Sequence, residues 1–331
     1  MKNSYIQGIE FHVPEEILTN DNLSEMMDTS DEWIKTRTGI HQRHTTGDTN
    51  LGPTDLAVSA ANKLLYNLKI NKSEIDFVVF ATSTPDYFVP GSGALFQEKM
   101  GLNNIGVLDI RQGCSGFTYA LSVADKFIKT ETYKNILVIG AEVQTTQLDF
   151  DNDGRGTAVL FGDGAAVCLV SGTSENKGIL SSHLHSDGKY IEELGTEFPS
   201  SRYKDIITQE NVKDRKHHIY MNGREVFKHA VRRFPEVILE GLEYNNLKVE
   251  DVDLVVPHQA NYRITQAVQK KLNIPENKVF SNIHKYGNTT AASIGIALSE
   301  ALDSKLIKSN DIVVLASFGA GWYWGSVIIK W

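Results

Sequence analysis

The chain has 331 residues, 41% of them hydrophobic and 22% charged, a composition that supplies core for two units or one large duplicated domain. A net charge of −8 argues against nucleic acid as a general partner, and two cysteines are too few for a disulfide scaffold and lack metal-ligand spacing. The N-terminal residues from Met1 do not read as a signal peptide and no apolar run approaches the ~18 residues of a membrane span, so no membrane insertion and a reduced, cytoplasmic setting are expected.

In chain order, Ile75–Ala81 is a strand led by Asp76 and preceded by a helical pattern. Ile105–Ile110 is the next strand, and it runs into Gly113-Cys114-Ser115-Gly116-Phe117. Beyond it Phe117, Ala120, Leu121, Ala124, Phe127 and Ile128 recur at helical spacing. A lone cysteine is usually inert core, but this one sits where a strand meets a helix. There, unpaired N–H groups and the helix dipole favour a thiolate, the nucleophilic form. Leu160–Ala166 is a glycine turn entering a strand, and Cys168 in that strand reads as core.

The stretch Ser181–Tyr220 lacks strong periodicity and reads as an insertion that shapes a pocket; its His183, His185, His217 and His218 lack metal-site spacing. Gly223–Leu242 is helical. Arg224, Lys228 and Arg232 share one face of it, and Val226, Phe227, Ala230, Val231 and Phe234 are expected to face the core. Val252–His258 repeats the acidic-led strand of Ile75–Ala81 and presents His258 at its tip. Val279–Ile283 leads through Asn288 to the helical pattern Ala291, Ile294, Leu298, Ala301, Leu302. Ser317–Trp322 repeats the glycine turn of Leu160–Ala166. Three ordered matches imply two equivalent α/β halves, with mixed, mostly parallel sheets and ligands at strand C-terminal ends. Cys114, His258 and Asn288 then form a Cys-His-Asn nucleophile set, with Cys114 and Asn288 brought together by a pseudo-twofold.

With these motifs go Asp28–Ile40, Ala81–Phe88, Gly154–Thr157, Phe161–Gly164, Phe318–Gly321 and Trp324–Ser326. On them the chain resembles beta-ketoacyl-acyl carrier protein synthase III, of the thiolase superfamily, over essentially its full length. The resemblance implies the thiolase-like α/β fold, two duplicated halves (1–172 and 173–331) in a five-layered αβαβα sandwich, acting as a homodimer. It implies a decarboxylative Claisen condensation without cofactor or metal, joining an acyl-coenzyme A primer to malonyl-acyl carrier protein. In that scheme Cys114 carries the acyl group, backbone N–H groups of Cys114 and of the Gly319-Ala320-Gly321 turn bind the oxyanion, His258 and Asn288 stabilise the enolate, and Phe318 shields the nucleophile. Trp33 and Arg155 match a pair that sandwiches adenine, with Thr29 and Arg37 nearby, while Gly223 and Asn261 match the pantetheine channel. Phe88 and Val89 fall on the loop that reaches the partner's acyl pocket, where Val89 replaces a usual phenylalanine. Lys228 and Arg263 match the carrier-docking surface, which the basic stripe of Arg224 and Arg232 extends.

The chain departs from the family at Arg111-Gln112-Gly113, where small alanines are usual, and at Arg224, Ala320 and Trp322. These changes lie near the acyl and pantetheine sites. They keep open a second reading, a paralogue that handles an unusual acyl chain in quinolone-, alkylresorcinol- or polyketide-type metabolism. A non-catalytic chain-handling scaffold is a third, which the intact Cys114, His258 and Asn288 disfavour.

Overall fold

Two mixed sheets built to one plan lie one behind the other in the computed structural model, which describes residues 3–331. Met1 and Lys2, which begin the N-terminal half and the segment read as lacking a signal, lie outside the described residues. The first sheet sets Asn3–His12, Gly164–Thr173, Asn135–Glu142, Phe77–Ala81 and Gly106–Ile110 side by side in that order. The first two pairings are antiparallel and the last two parallel. The second sheet sets Gly178–Ser186, Tyr323–Lys330, Ile312–Gly319 and Leu254–Pro257 in order, antiparallel, antiparallel, parallel. A parallel bridge from Val255 to Val279 stands where the fifth strand would be. The same order of directions therefore recurs, and Cys114 and Asn288 each follow the last member of their sheet.

Strands such as Phe77–Ala81 are buried along their whole length because helices cover both faces, which is why they read as continuous apolar runs. Helices Pro53–Leu68 and Ser92–Met100 cover the outer face of the first sheet. Helices Gly223–Tyr244 and Tyr262–Leu272 cover the outer face of the second. Between the sheets lie Gly116–Lys129 and Ser293–Asp303, whose apolar residues share one core with both. The result is five layers, α, β, α, β, α. No helix among the described residues is long and apolar enough to cross a membrane.

Two expectations need correction. Ser181–Ser186 is not loop but most of the edge strand Gly178–Ser186, paired to Tyr323–Lys330. Its serines and histidines hide the alternation, and pairing rather than intrinsic preference makes it a strand. His183 and His185, two apart and so on one face, both meet Glu240 of the outer helix, at 3.4 and 2.6 Å. The remainder does shape a cavity: short strands Leu194–Thr196 and Ile219–Met221 pair and bring Leu194 and Ile219 to its wall. The second correction is Phe227, which is 37% exposed and lines a cavity that reaches Cys114 instead of facing the core.

The central helices lie so close to the first sheet that side chains are excluded at contact points. A Cβ on Gly140 would sit 2.4 Å from the Ala291 carbonyl oxygen, and one on Gly295 would sit 2.4 Å from the Ala166 Cβ. Overpacking of this kind costs about 1–3 kcal/mol. Gly140→Ala is therefore expected to lower the urea unfolding midpoint by a corresponding amount; an unchanged midpoint would show that the layers can part without cost.

Candidate active site

The chain leaves strand Gly106–Ile110, turns at Gly113 with φ +49°, and passes through a single 3-10 turn, Gly113–Ser115, into helix Gly116–Lys129. Cys114 is buried in that turn, against the backbone of Gly319. A Cβ on Gly319 would lie 2.5 Å from the Cys114 Cβ and 2.9 Å from Sγ, so only glycine fits there. The N–H groups of Cys114 itself and of Ala320 face the sulfur.

Even so, the thiol is not the ready thiolate expected from the helix start. Burial, reinforced by the nearby Glu142 carboxylate, pushes it up to about 12, and the two N–H groups offset only part of this. Glu142 is itself fully buried. It accepts hydrogen bonds from the backbone and hydroxyls of Ser83 and Thr84, from the Thr82 hydroxyl, and from the Ala291 N–H of the opposite half. Burial raises its pKa, and these donors offset only part of the rise.

His258 follows strand Leu254–Pro257, its N–H donating to Ala316 O at 2.8 Å. Its Nδ1 meets Ser293 Oγ at 2.5 Å. Ser293 Oγ also accepts from the Gln259 N–H at 3.4 Å. With Ser293 Oγ donating to Nδ1, the imidazole carries its proton on Nε2. Nε2 is buried with no partner among the described residues, and His258 lines the same cavity as Cys114. Burial pushes the imidazole down to about 3, so it is a neutral donor across the physiological range.

Asn288 is held at both ends of its peptide unit, N–H to Leu160 O at 2.8 Å and C=O from the Gly162 N–H at 3.1 Å. Its Oδ1 accepts from the Thr290 N–H at 2.9 Å, which leaves the amide NH2 for the cavity. Cys114, His258 and Asn288 thus meet in one cavity of about 120 Å³, with Phe318 in its lining and tilted against Trp322, ring centroids 5.0 Å apart. The walls are Val226, Phe227, Ala230 and Phe234, and Gly223 and Asn261 also line it. Asn261 is already engaged, its Oδ1 capping helix Tyr262–Leu272 and its Nδ2 donating to Arg37 O at 3.1 Å.

At the surface, the guanidiniums of Arg37 and Arg155 lie 4.9 and 5.2 Å from the Trp33 ring centroid. The buried Thr29 hydroxyl has no partner among the described residues. A second cavity, about 330 Å³, opens on the other side of Cys114 between Phe88, Phe161, Leu194, Phe198 and Ile219. Val89, 77% exposed, does not line it. Of the basic groups, Lys228 pairs with Glu225 at 3.0 Å and Arg232 with Glu236 at 2.8 Å. Arg263 lies over the Phe227 ring at 6.0 Å, while Arg224 is exposed. Ser293 and Glu142 were not singled out from sequence. Ser293 lies five residues after Asn288, at the start of helix Ser293–Asp303, and hydroxyl chemistry there has no sequence signature of its own.

The raised thiol pKa has a readable sign. Thiolate fraction grows about tenfold per pH unit below the pKa, so alkylation of Cys114 by iodoacetamide, followed by peptide mass mapping, should climb from pH 7 to 10 without a plateau. A plateau by pH 8.5 would show that the helix start outweighs burial.

Comparison with known proteins places this geometry. The model for 3-oxoacyl-[acyl-carrier-protein (ACP)] synthase III matches residues 108–188, and the model for its C-terminal part matches 242–331. A beta-ketoacyl-[acyl-carrier-protein] synthase III of Fusobacterium nucleatum is 40% identical, covering 100% of this chain and 99% of its own. One from Clostridioides difficile is 44% identical, covering 98% of each. The crystal structure of 3-oxoacyl-[acyl-carrier-protein] synthase III from Aquifex aeolicus superposes with a TM-score of 0.91 at 40% identity, over 99% of this chain and 100% of that one.

Proposed function

The chain belongs to the 3-oxoacyl-[acyl-carrier-protein] synthase III family, and from that membership we propose that it joins an acyl-coenzyme A primer to malonyl-acyl carrier protein, releasing carbon dioxide and starting a fatty acid. The fold is the thiolase fold, and the enzyme is an acyl-transferring condensing enzyme. The observation that carries the reading is the convergence of a thiol and two unpartnered donors, His258 Nε2 and the Asn288 amide, in one buried cavity.

Cys114 Sγ attacks the thioester carbonyl of the primer. The oxyanion accepts from the N–H groups of Cys114 and Ala320, which face the sulfur in the resting site. The tetrahedral adduct expels coenzyme A, which takes the thiol proton, and the acyl group stays on sulfur. Malonyl-acyl carrier protein then enters past Phe227. Its carboxylate leaves as carbon dioxide, and the electron pair becomes an enolate whose oxygen accepts from His258 and Asn288. Because His258 is neutral, it stabilises by donation and does not bring a full charge. The enolate carbon attacks the acyl-Cys114 carbonyl, the C–S bond breaks, and the sulfur recovers a proton. No step requires a cofactor. Residues 1–172 contribute the nucleophile and 173–331 the two donors.

Trp33, Arg37, Arg155 and the orphan Thr29 hydroxyl are suited to the adenine end of coenzyme A, with Arg155 yielding its place over the ring to the base. Gly223 leaves room for the pantetheine arm. The exposed Tyr87, Phe88 and Val89 support a homodimer. A cytoplasmic setting suits these substrates. The specialised-paralogue reading is not favoured, because full-length relatives at 40–44% identity are named synthase III.

Cys114→Ser should abolish the acyl adduct seen by intact mass. His258→Ala and Asn288→Ala should each retain acylation but lose about 100- to 1000-fold in malonyl decarboxylation, the usual loss for one such donor. Wild-type decarboxylation in either variant would remove that residue from the scheme.

For the carrier protein, Arg263 stands at the channel mouth and Arg224 is exposed, whereas the charges of Lys228 and Arg232 are shared with Glu225 and Glu236. Arg263→Glu should therefore weaken use of malonyl-acyl carrier protein more than Lys228→Glu does, and flatten its salt dependence. Acylation from coenzyme A thioesters should change little; equal losses with both substrates would make this a channel defect and remove the docking role.

A further inference from the structure

The larger cavity that reaches Cys114 is the space into which an acyl group on sulfur would extend, and its largely apolar wall is interrupted by polar side chains. Gln144 is only 2% exposed, yet it lines this space beside Gln147, Thr196 and Thr290. The four form one chain of hydrogen bonds. Thr290 Oγ1 donates to Gln144 Oε1 at 3.4 Å, Gln144 Nε2 donates to Gln147 Oε1 at 3.2 Å, and Thr196 Oγ1 donates to the same Oε1 at 3.2 Å. In this arrangement two donors converge on the oxygen of the Gln147 amide. Its NH2 group is thereby left without a bond to any described residue, on the wall of a cavity that Cys114 also lines. Arg111, exposed and standing where the family usually carries a small residue, borders the same cavity and adds positive charge.

A plain alkyl chain laid along this wall would strip water from the Gln147 amide and return nothing. An acyl chain with an oxygen at that level would accept the free N–H groups. We propose that the primer held on Cys114 is an oxygen-bearing acyl group, with a hydroxyl, keto or carboxylate oxygen accepting from Gln147. This rests on the reading that Cys114 is acylated, and narrows it from acyl chains in general to one chemical class. Polar sites built in this way reject analogues that lack the matching group more strongly than apolar pockets reject an extra methylene.

The test is intact-mass kinetics of Cys114 loading from four-carbon thioesters of coenzyme A: butyryl, 3-hydroxybutyryl, acetoacetyl and succinyl. At least one oxygen-bearing chain should load several-fold to about tenfold faster than butyryl, one hydrogen bond to the half-buried Gln147 being worth about that range. Gln147→Leu should bring butyryl level with it. Gln147→Glu, which keeps size and polarity but turns the donor into an anion, should penalise succinyl most. Butyryl loading as fast as all three others in the natural enzyme would overturn the proposal. So would a preference that survives both substitutions. Failure of every thioester, acetyl-coenzyme A included, to load would overturn the acyl-enzyme reading itself, a result distinct from a lack of discrimination.

Discussion

Both sheets share one layer of two helices, and the site exists because that layer cannot shift. Gly116–Lys129 and Ser293–Asp303 start at the same cavity, one just after Cys114 and the other just after Asn288. Their starts are fixed by backbone contact: a Cβ on Gly116 would meet Ala81 at 2.9 Å and Ala291 at 3.2 Å. Close-packed interiors transmit displacement instead of absorbing it. The spacing between nucleophile and donors is therefore set by core packing many residues away, which is what a site with sub-ångström tolerance requires.

The electrostatic state of the resting site follows from the same burial. The imidazole is neutral and the thiol protonated. Between the two halves, Glu142 holds the loop Thr82–Thr84 to the start of the Asn288 segment through hydrogen bonds from both sides. A poorly solvated cavity makes each donor stronger toward a developing oxyanion than it would be in water. It also disfavours a standing charge on sulfur. The thiol is thus poised to react only when a carbonyl arrives to take up the charge.

Much of this was legible in the sequence. Cys114, His258 and Asn288 each stand at a strand end or helix start, and such junctions leave local traces: an apolar run, then glycine or proline, then a 3.6-residue period. The duplication was legible for the same reason, since acidic-led strands and glycine turns repeat in order. Strand Gly178–Ser186 was not, because an edge strand rich in Ser and His gains its identity from Tyr323–Lys330, more than 130 residues away. Phe227 misled because helical periodicity reports which face a residue occupies, not whether that face borders core or cavity. The thiol pKa was misjudged because a helix start is written locally, whereas burial and Glu142 come from the folded whole. Ser293 and Gln147 act through partners that only the fold supplies.

A protonated nucleophile has a chemical consequence beyond condensation. Peroxides attack the thiolate, and the path to sulfenic and then irreversible sulfinic and sulfonic acids begins with that attack. With Cys114 buried and its proton retained, the idle enzyme presents little of the species that oxidants consume. The same burial that slows ionisation thus protects the resting thiol, and under the proposed scheme its window of vulnerability is confined to the moment when the C–S bond breaks and the sulfur has not yet recovered its proton.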